Sequence, residues 1–362
     1  MRSTGIDRRT FLALAGAGLL APGLRAGEDE PLFLGAREKA GQFEAAVIDG
    51  QGRDRLVLPL AARGHSFALD PATRRAVAFA RSPGRFAIAF DVDGAAGPVA
   101  IAARADRHFF GHGIYAADGR LLLATENDYE GGRGVTGLYD ATDGYRRIGE
   151  IPTGGIGPHE VLLSPDRRTA IVANGGILTH PDYDRIKLNL ADMAPNLTYL
   201  DIETGEIAEQ VGLGPELHQL SIRHMALDRR GDVWFGCQFE GDPALAPPLV
   251  GRHRRGRAIE LFTAPADIHR AMRNYVGSVA VDAGGDLLAT SSPHGGLVVF
   301  WDTATGAFQG TVAIDDGCGI APFAPGELLA SSGRGELLAA APDTRRPILA
   351  AGPAWDNHLR RF

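Results

Sequence analysis

Short apolar runs alternate with turns rich in Gly, Asp, Pro and Ser along almost the whole chain. That is the pattern of brief strands in an all-β architecture. The runs also repeat at a fixed distance. Gly64-His65-Ser-Phe-Ala-Leu-Asp, Gly111-His112-Gly-Ile-Tyr and Pro158-His159-Glu-Val-Leu-Leu each open a unit, and the three histidines stand 47 residues apart. A period of roughly 40–50 residues marks a propeller or a solenoid.

Later units open near His224, Ser278 and Cys318. The C-terminal Trp355-Asp-Asn-His358-Leu-Arg-Arg-Phe supplies one further strand at the histidine phase. Residues 31–60 supply outer strands that lack it. Joined, the two ends complete a blade and remove an open sheet edge, which would otherwise invite aggregation. The pattern therefore predicts an all-β, seven-bladed β-propeller closed by pairing of the N- and C-terminal strands. No composition break divides the chain, so residues 27–362 are expected to form one domain.

Residues 1–26 read differently. Arg8-Arg9-Thr-Phe-Leu followed by a short run rich in Ala and Gly, Leu12 to Leu24, has the form of a twin-arginine signal. The run is too short to span a bilayer. The expected compartment is the periplasm, with no transmembrane segment in the mature chain. Residues 1–26 carry Arg2, Arg8, Arg9 and Arg25 against Asp7, so without them the net charge goes from −7 to −10. There is no basic stripe, which argues against nucleic acid as a partner. Cys237 and Cys318 fall in different units and need not meet.

The first strand of each blade lines the axis of a propeller. The residues at one phase there are His65, His112, His159, His224, Ser278, Cys318 and His358, expected to converge at the channel mouth. Imidazole is the commonest protein metal ligand, suited to Zn, Cu, Fe and Ni. The five histidines are therefore the candidate metal ligands. Glu126, Asp128, Glu160, Cys318 and His294 are secondary candidates, as further ligands or as general bases. The stretches Glu126 to Arg133, Asn174 to Asn196 and Gln238 to Arg257 read as long polar loops able to wall the mouth. His253 and His269 lie in a basic, poorly patterned stretch and read as surface residues, and His218 could exchange roles with His224. No G-x-S-x-G, phosphate-binding glycine loop, C-x-x-C-H or H-E-x-x-H is present.

The chain resembles the bacterial family of unknown function numbered 1513, often labelled as twin-arginine-exported. The resemblance rests on Arg8-Arg9-Thr-Phe-Leu, Arg63-Gly-His65, Gly111-His112-Gly, Glu126-Asn-Asp128-Tyr-Glu, Gly157-Pro-His159-Glu, Arg223-His224-Met-Ala, Ser292-Pro-His294-Gly-Gly and Trp355-Asp-Asn-His358. It implies a YVTN-like or quinoprotein-like propeller. It also implies periplasmic iron or other metal handling beside imelysin-like and di-haem oxidoreductase-like proteins, but carries over no catalytic residue. The histidine ring is similar to that of the nitrous oxide reductase propeller, whose cluster is copper. A copper or iron site is accordingly the expected cofactor. Three functions stay open: a metal-binding propeller, a lactonase-like or quinoprotein-like enzyme using the same mouth, and a docking scaffold with structural histidines.

Overall fold

A computed structural model describes residues 19–20, 30–183 and 186–362. The described residues form seven antiparallel sheets. Six are consecutive four-stranded blades whose inner strands are Gly64–Asp70, Arg107–Tyr115, Pro158–Leu163, Leu220–Leu227, Ser278–Val281 and Gly317–Ala324. We number these blades one to six. Blade seven takes its inner strand, Ala354–Arg361, from the C-terminus, and Leu32–Lys39, Gln42–Asp49 and Asp54–Leu60 from the N-terminal region. The chain is thus an all-β, seven-bladed propeller closed as the pattern predicts. The expected signal sequence lies outside the described residues, except for Leu19–Leu20, whose backbone pairs with the outer strand of blade seven.

Several blades are held by the same local chemistry. An aspartate at a strand end accepts backbone N–H groups from the following turn. Asp201 takes those of Glu203 and Thr204, Asp228 those of Arg230 and Asp232, and Asp282 those of Asp286 and Leu287. Asp282 also accepts from Gly326 in the next blade, so one carboxylate both closes a turn and ties two blades. This explains why aspartate is acceptable beside such apolar strands.

Between blades the strand faces bury large side chains. Trp234, Phe235, Phe300 and Trp301 are fully buried around blades four and five. The seam of blade seven buries Phe33, Ile48, Leu329, Trp355 and Leu359 in one cluster. Gly35 permits that closure, because a Cβ there would sit 2.9 Å from Leu359 and 3.0 Å from Trp355.

The poorly patterned stretch after residue 250 is more ordered than its sequence suggests. It holds the strands Val250–His253 and Glu260–Phe262 and the helix Ala266–Ala271. His253 and His269 are consequently buried, contrary to expectation. His253 Nδ1 lies 2.6 Å from the Tyr199 hydroxyl, and its Nε2 bonds the Arg257 carbonyl at 2.9 Å. His269 Nε2 bonds the Pro247 carbonyl at 2.9 Å. Both are core histidines: His253 has partners at both ring nitrogens, His269 at Nε2 alone.

Candidate metal centre

The histidine-bearing inner strands share one irregularity. In all five the register with the next strand slips at or beside the histidine: Gly64 to Phe67, opposite Ala124 to Glu126, Pro158 to Glu160, Ile222 to His224, and opposite Gly35 to Arg37. A bulge adds a residue and re-aims a side chain. Blade six, with Cys318, slips in the same way between Gly317 and Ile320, while blade five, which offers Ser278 at this phase, runs in regular register. The histidine need not open its strand, as the sequence suggested. His112, His224 and His358 sit well inside theirs, and the bulge rather than the strand start turns them to the axis.

The five rings gather there. Neighbouring centroids among His65, His112, His159, His224 and His358 lie 4.6 to 6.0 Å apart. Ligand nitrogens of His65, His112 and His159 lie within 4.8 Å of one another, as do those of His112, His224 and His358. His112 belongs to both groups. Its neighbour Gly111 has φ +100°, and a Cβ there would meet the His65 ring at 2.5 Å. The glycine lets one blade's strand pass against the next blade's ligand.

Two buried carboxylates face three of the rings. Nδ1 of His65 is 3.5 Å from Asp356, which also pairs with Arg63 and Arg81. Nδ1 of His112 and of His224 lie 3.6 and 3.5 Å from the two oxygens of Glu160. Glu160 further accepts the Met225 N–H at 2.9 Å and the Arg360 guanidinium. Metal-bound histidines characteristically turn one nitrogen to a carboxylate and the other to the ion. Here Nε2 of His112 and of His358, and Nδ1 of His224, are buried without any hydrogen-bond partner. An arginine also stands at two of the rings: Arg223 lies 3.3 Å from Nδ1 of His159, and Arg360 3.5 Å from Nδ1 of His112. Since arginine can only donate, Nδ1 of His159, which has no carboxylate beside it, is the acceptor and its Nε2 carries the ring proton.

The charge states follow from burial. Desolvation lowers all five imidazole pKa values, that of His65 to about 4 despite Asp356, and those of His112, His159 and His358 well below the ordinary value. Burial opposes ionisation of Asp356, yet His65, Arg63 and Arg81 prevail and hold it at about 2. Glu160 is likewise kept ionised against burial, chiefly by Arg360. The cluster is therefore five neutral imidazoles beside two ionised carboxylates that are each paired with arginine, and neutral imidazole is the form a metal requires.

The secondary candidates divide. Glu160 joins the cluster. Glu126 and Asp128 do not, because Leu121–Asp128 is a strand rather than a loop. Glu126 is buried against the Tyr139 hydroxyl and Arg147, and burial raises its pKa. Asp128 pairs with Arg107 and Arg133. Cys318 lies in neither histidine group; its thiol donates to the Asp316 carbonyl, and burial pushes its pKa up to about 12. His218 stays at the turn Pro215–Leu217 and does not replace His224. His294 packs tilted against Tyr275, ring centroids 4.0 Å apart, and both line a cavity of about 470 Å³ over the cluster, which His65, His159 and His224 face from below. Asp356 and Arg360, missed in the sequence, lie two residues either side of His358. A strand brings alternate residues to one face, so this spacing was a usable signal for Arg360. The bulge obscured it for Asp356.

A family model, "Protein of unknown function (DUF1513)", matches residues 58–362. The chain belongs to the DUF1513 family. The matched region contains all five cluster histidines and both buried carboxylates that face them. Two similar solved structures are Kuenenia stuttgartiensis hydrazine synthase, at TM-score 0.61, and the Cps50 (Swd1) β-propeller domain of Myceliophteria thermophila, at 0.59. Each is 12% identical, with 87% of this chain and 96% of the other covered. At that identity they show the propeller fold alone. No curated protein matches the chain.

The buried imidazoles of this DUF1513 protein have a consequence for stability. The unfolded chain takes up protons below about pH 6.5 that the folded cluster refuses, His65 until about pH 4 and the other four rings also below their ordinary value, so stability is full above about pH 6.5 and falls as pH drops. Urea unfolding of metal-free protein should show a midpoint that declines from about pH 7 to pH 5. A flat profile over that range would mean the rings are not held neutral.

Proposed function

We propose that this protein is a periplasmic propeller that binds a transition-metal ion at the five-histidine cluster and serves in metal handling. One observation carries the reading: buried carboxylates face Nδ1 of His65, His112 and His224, while Nε2 of His112 and His358 are buried without partners. A buried polar atom without a hydrogen bond costs roughly 1–3 kcal/mol, and an ion would satisfy these two. All-imidazole ligation suits Cu, Zn, Fe or Ni, and we take copper or iron as the ions to test first. Metal–nitrogen bonds of about 2.0–2.1 Å require the rings to draw in around a single ion. Two groups sharing His112 also leave room for a pair of ions. The periplasmic setting and a partnership with imelysin-like and di-haem oxidoreductase-like proteins rest on the N-terminal motif and the family resemblance.

Metal analysis of protein exported from its native host tests the reading. The expected result is close to one equivalent or more of one transition metal, removed by chelation and restored by reconstitution. Protein that contains none and takes up neither Cu nor Fe nor Zn would overturn it.

A further inference from the structure

The cavity above the cluster has the wrong charge for receiving a bare cation. The whole chain carries a net −7, yet four full cations, Arg81, Lys187, Arg223 and Arg273, line this cavity. Among the described residues its lining contains a single carboxylate, Glu240. Lys187 and Arg223 share that one anion, Arg223 at 3.7 Å. Arg273 is exposed on the rim, and it and Asn274 have φ of 50° and 54°. Two successive non-glycine residues in the left-handed region cost of order 1–3 kcal/mol each, and such strain persists where surroundings impose it. Here Asn274 is pinned through the Leu245 carbonyl at 2.8 Å and the Phe239 N–H at 3.0 Å, which fixes Arg273 over the mouth.

The cluster below sharpens the mismatch. Its imidazoles are neutral, Glu160 is matched by Arg360, and Asp356 is shared between Arg63 and Arg81 of the mouth. An ion bound there brings a charge that no remaining group balances, directly beneath four cations. Burying an unbalanced charge is expensive. We propose that the cavity binds a small, multiply charged oxyanion, a polycarboxylate or a phosphate, which neutralises the mouth cations and caps the bound ion. A cavity of this size is in the range of small-molecule sites, and arginine and lysine are the natural donors to such oxygens. The capping role rests on the metal reading; the anion site itself does not.

The two parts are separable by calorimetry. Metal-free protein is titrated with citrate and, separately, with pyrophosphate. At least one should bind, and the Lys187→Gln/Arg273→Gln variant should bind it about tenfold or more weakly, equivalent to ~1.4 kcal/mol. Both side chains are at the surface, so the variant keeps the fold. A response to citrate alone assigns a polycarboxylate, and to pyrophosphate alone a phosphate. The His112→Ala variant should still bind the anion, so failure of metal binding does not mask this result. If metal binds, saturating anion should raise its affinity, and by linkage the metal should raise the anion's affinity equally. No heat with either anion at about 1 mM, or full binding in the double variant, overturns the anion site. Metal affinity unchanged by a bound anion overturns the capping role.

Discussion

His112→Ala is expected to strip the protein of its transition metal, lowering affinity by more than about 100-fold, whereas His159→Ala should cost about tenfold or less. Outer-shell partners alone are worth about 10–100-fold at metal sites, and His112 is a direct ligand candidate in both three-histidine groups. His159 belongs to one group only and has no carboxylate beside it. Glu160→Gln should fall between the two. It removes the charge that faces His112 and His224 and leaves Arg360 uncompensated. Competition against a chelator of known affinity gives the ranking. The shared-ligand geometry is wrong if His112→Ala holds metal as tightly as His159→Ala does.

Removing residues 354–362 should abolish the native fold rather than merely weaken it. The deletion takes the inner strand of blade seven and leaves Leu32–Lys39 as an open edge beside the axis. It also empties the Trp355 and Leu359 positions of the seam cluster. Large-to-small changes at sites of this kind cost about 2–5 kcal/mol each, against a total stability of about 5–15 kcal/mol. Asp356, His358 and Arg360 leave with the strand, so the cluster loses a ring and two charged partners together. Circular dichroism and urea unfolding should show no cooperative transition. A truncated protein that unfolds cooperatively near the full-length midpoint would show that terminal closure is not what secures the ring.

The motifs behind the family resemblance acquire separate physical duties in the structure. Gly111 makes room for the His65 ring, Arg63 pairs with Asp356, and Arg223 turns His159. Trp355 packs the seam while Asp356 and His358, in the same motif, face the cluster. Glu126 and Asp128 show the opposite case. In the sequence they looked like loop acids near the mouth, but they belong to a strand whose carboxylates face Arg147, Arg107 and Arg133 within blade two. Spacing along the chain cannot say which side of a strand an acid takes when a bulge lies across from it.

The sequence by itself determined the repeat, the blade count, the closure by the two termini and the five histidines at one phase. Those features are periodic, and periodicity survives in one dimension because each blade must bury the same faces. Tertiary structure alone decided what surrounds the rings. Glu160 and Arg360 meet across 200 residues, and Arg63 and Asp356 across 293. Such pairs form only when the ring closes and brings inner strands from opposite ends of the chain to one axis. Whether an imidazole there is a satisfied core residue, like His253, or a prepared ligand, like His112, depends on which nitrogen finds a partner. That is settled by bulges and neighbouring blades, which no single stretch of sequence contains.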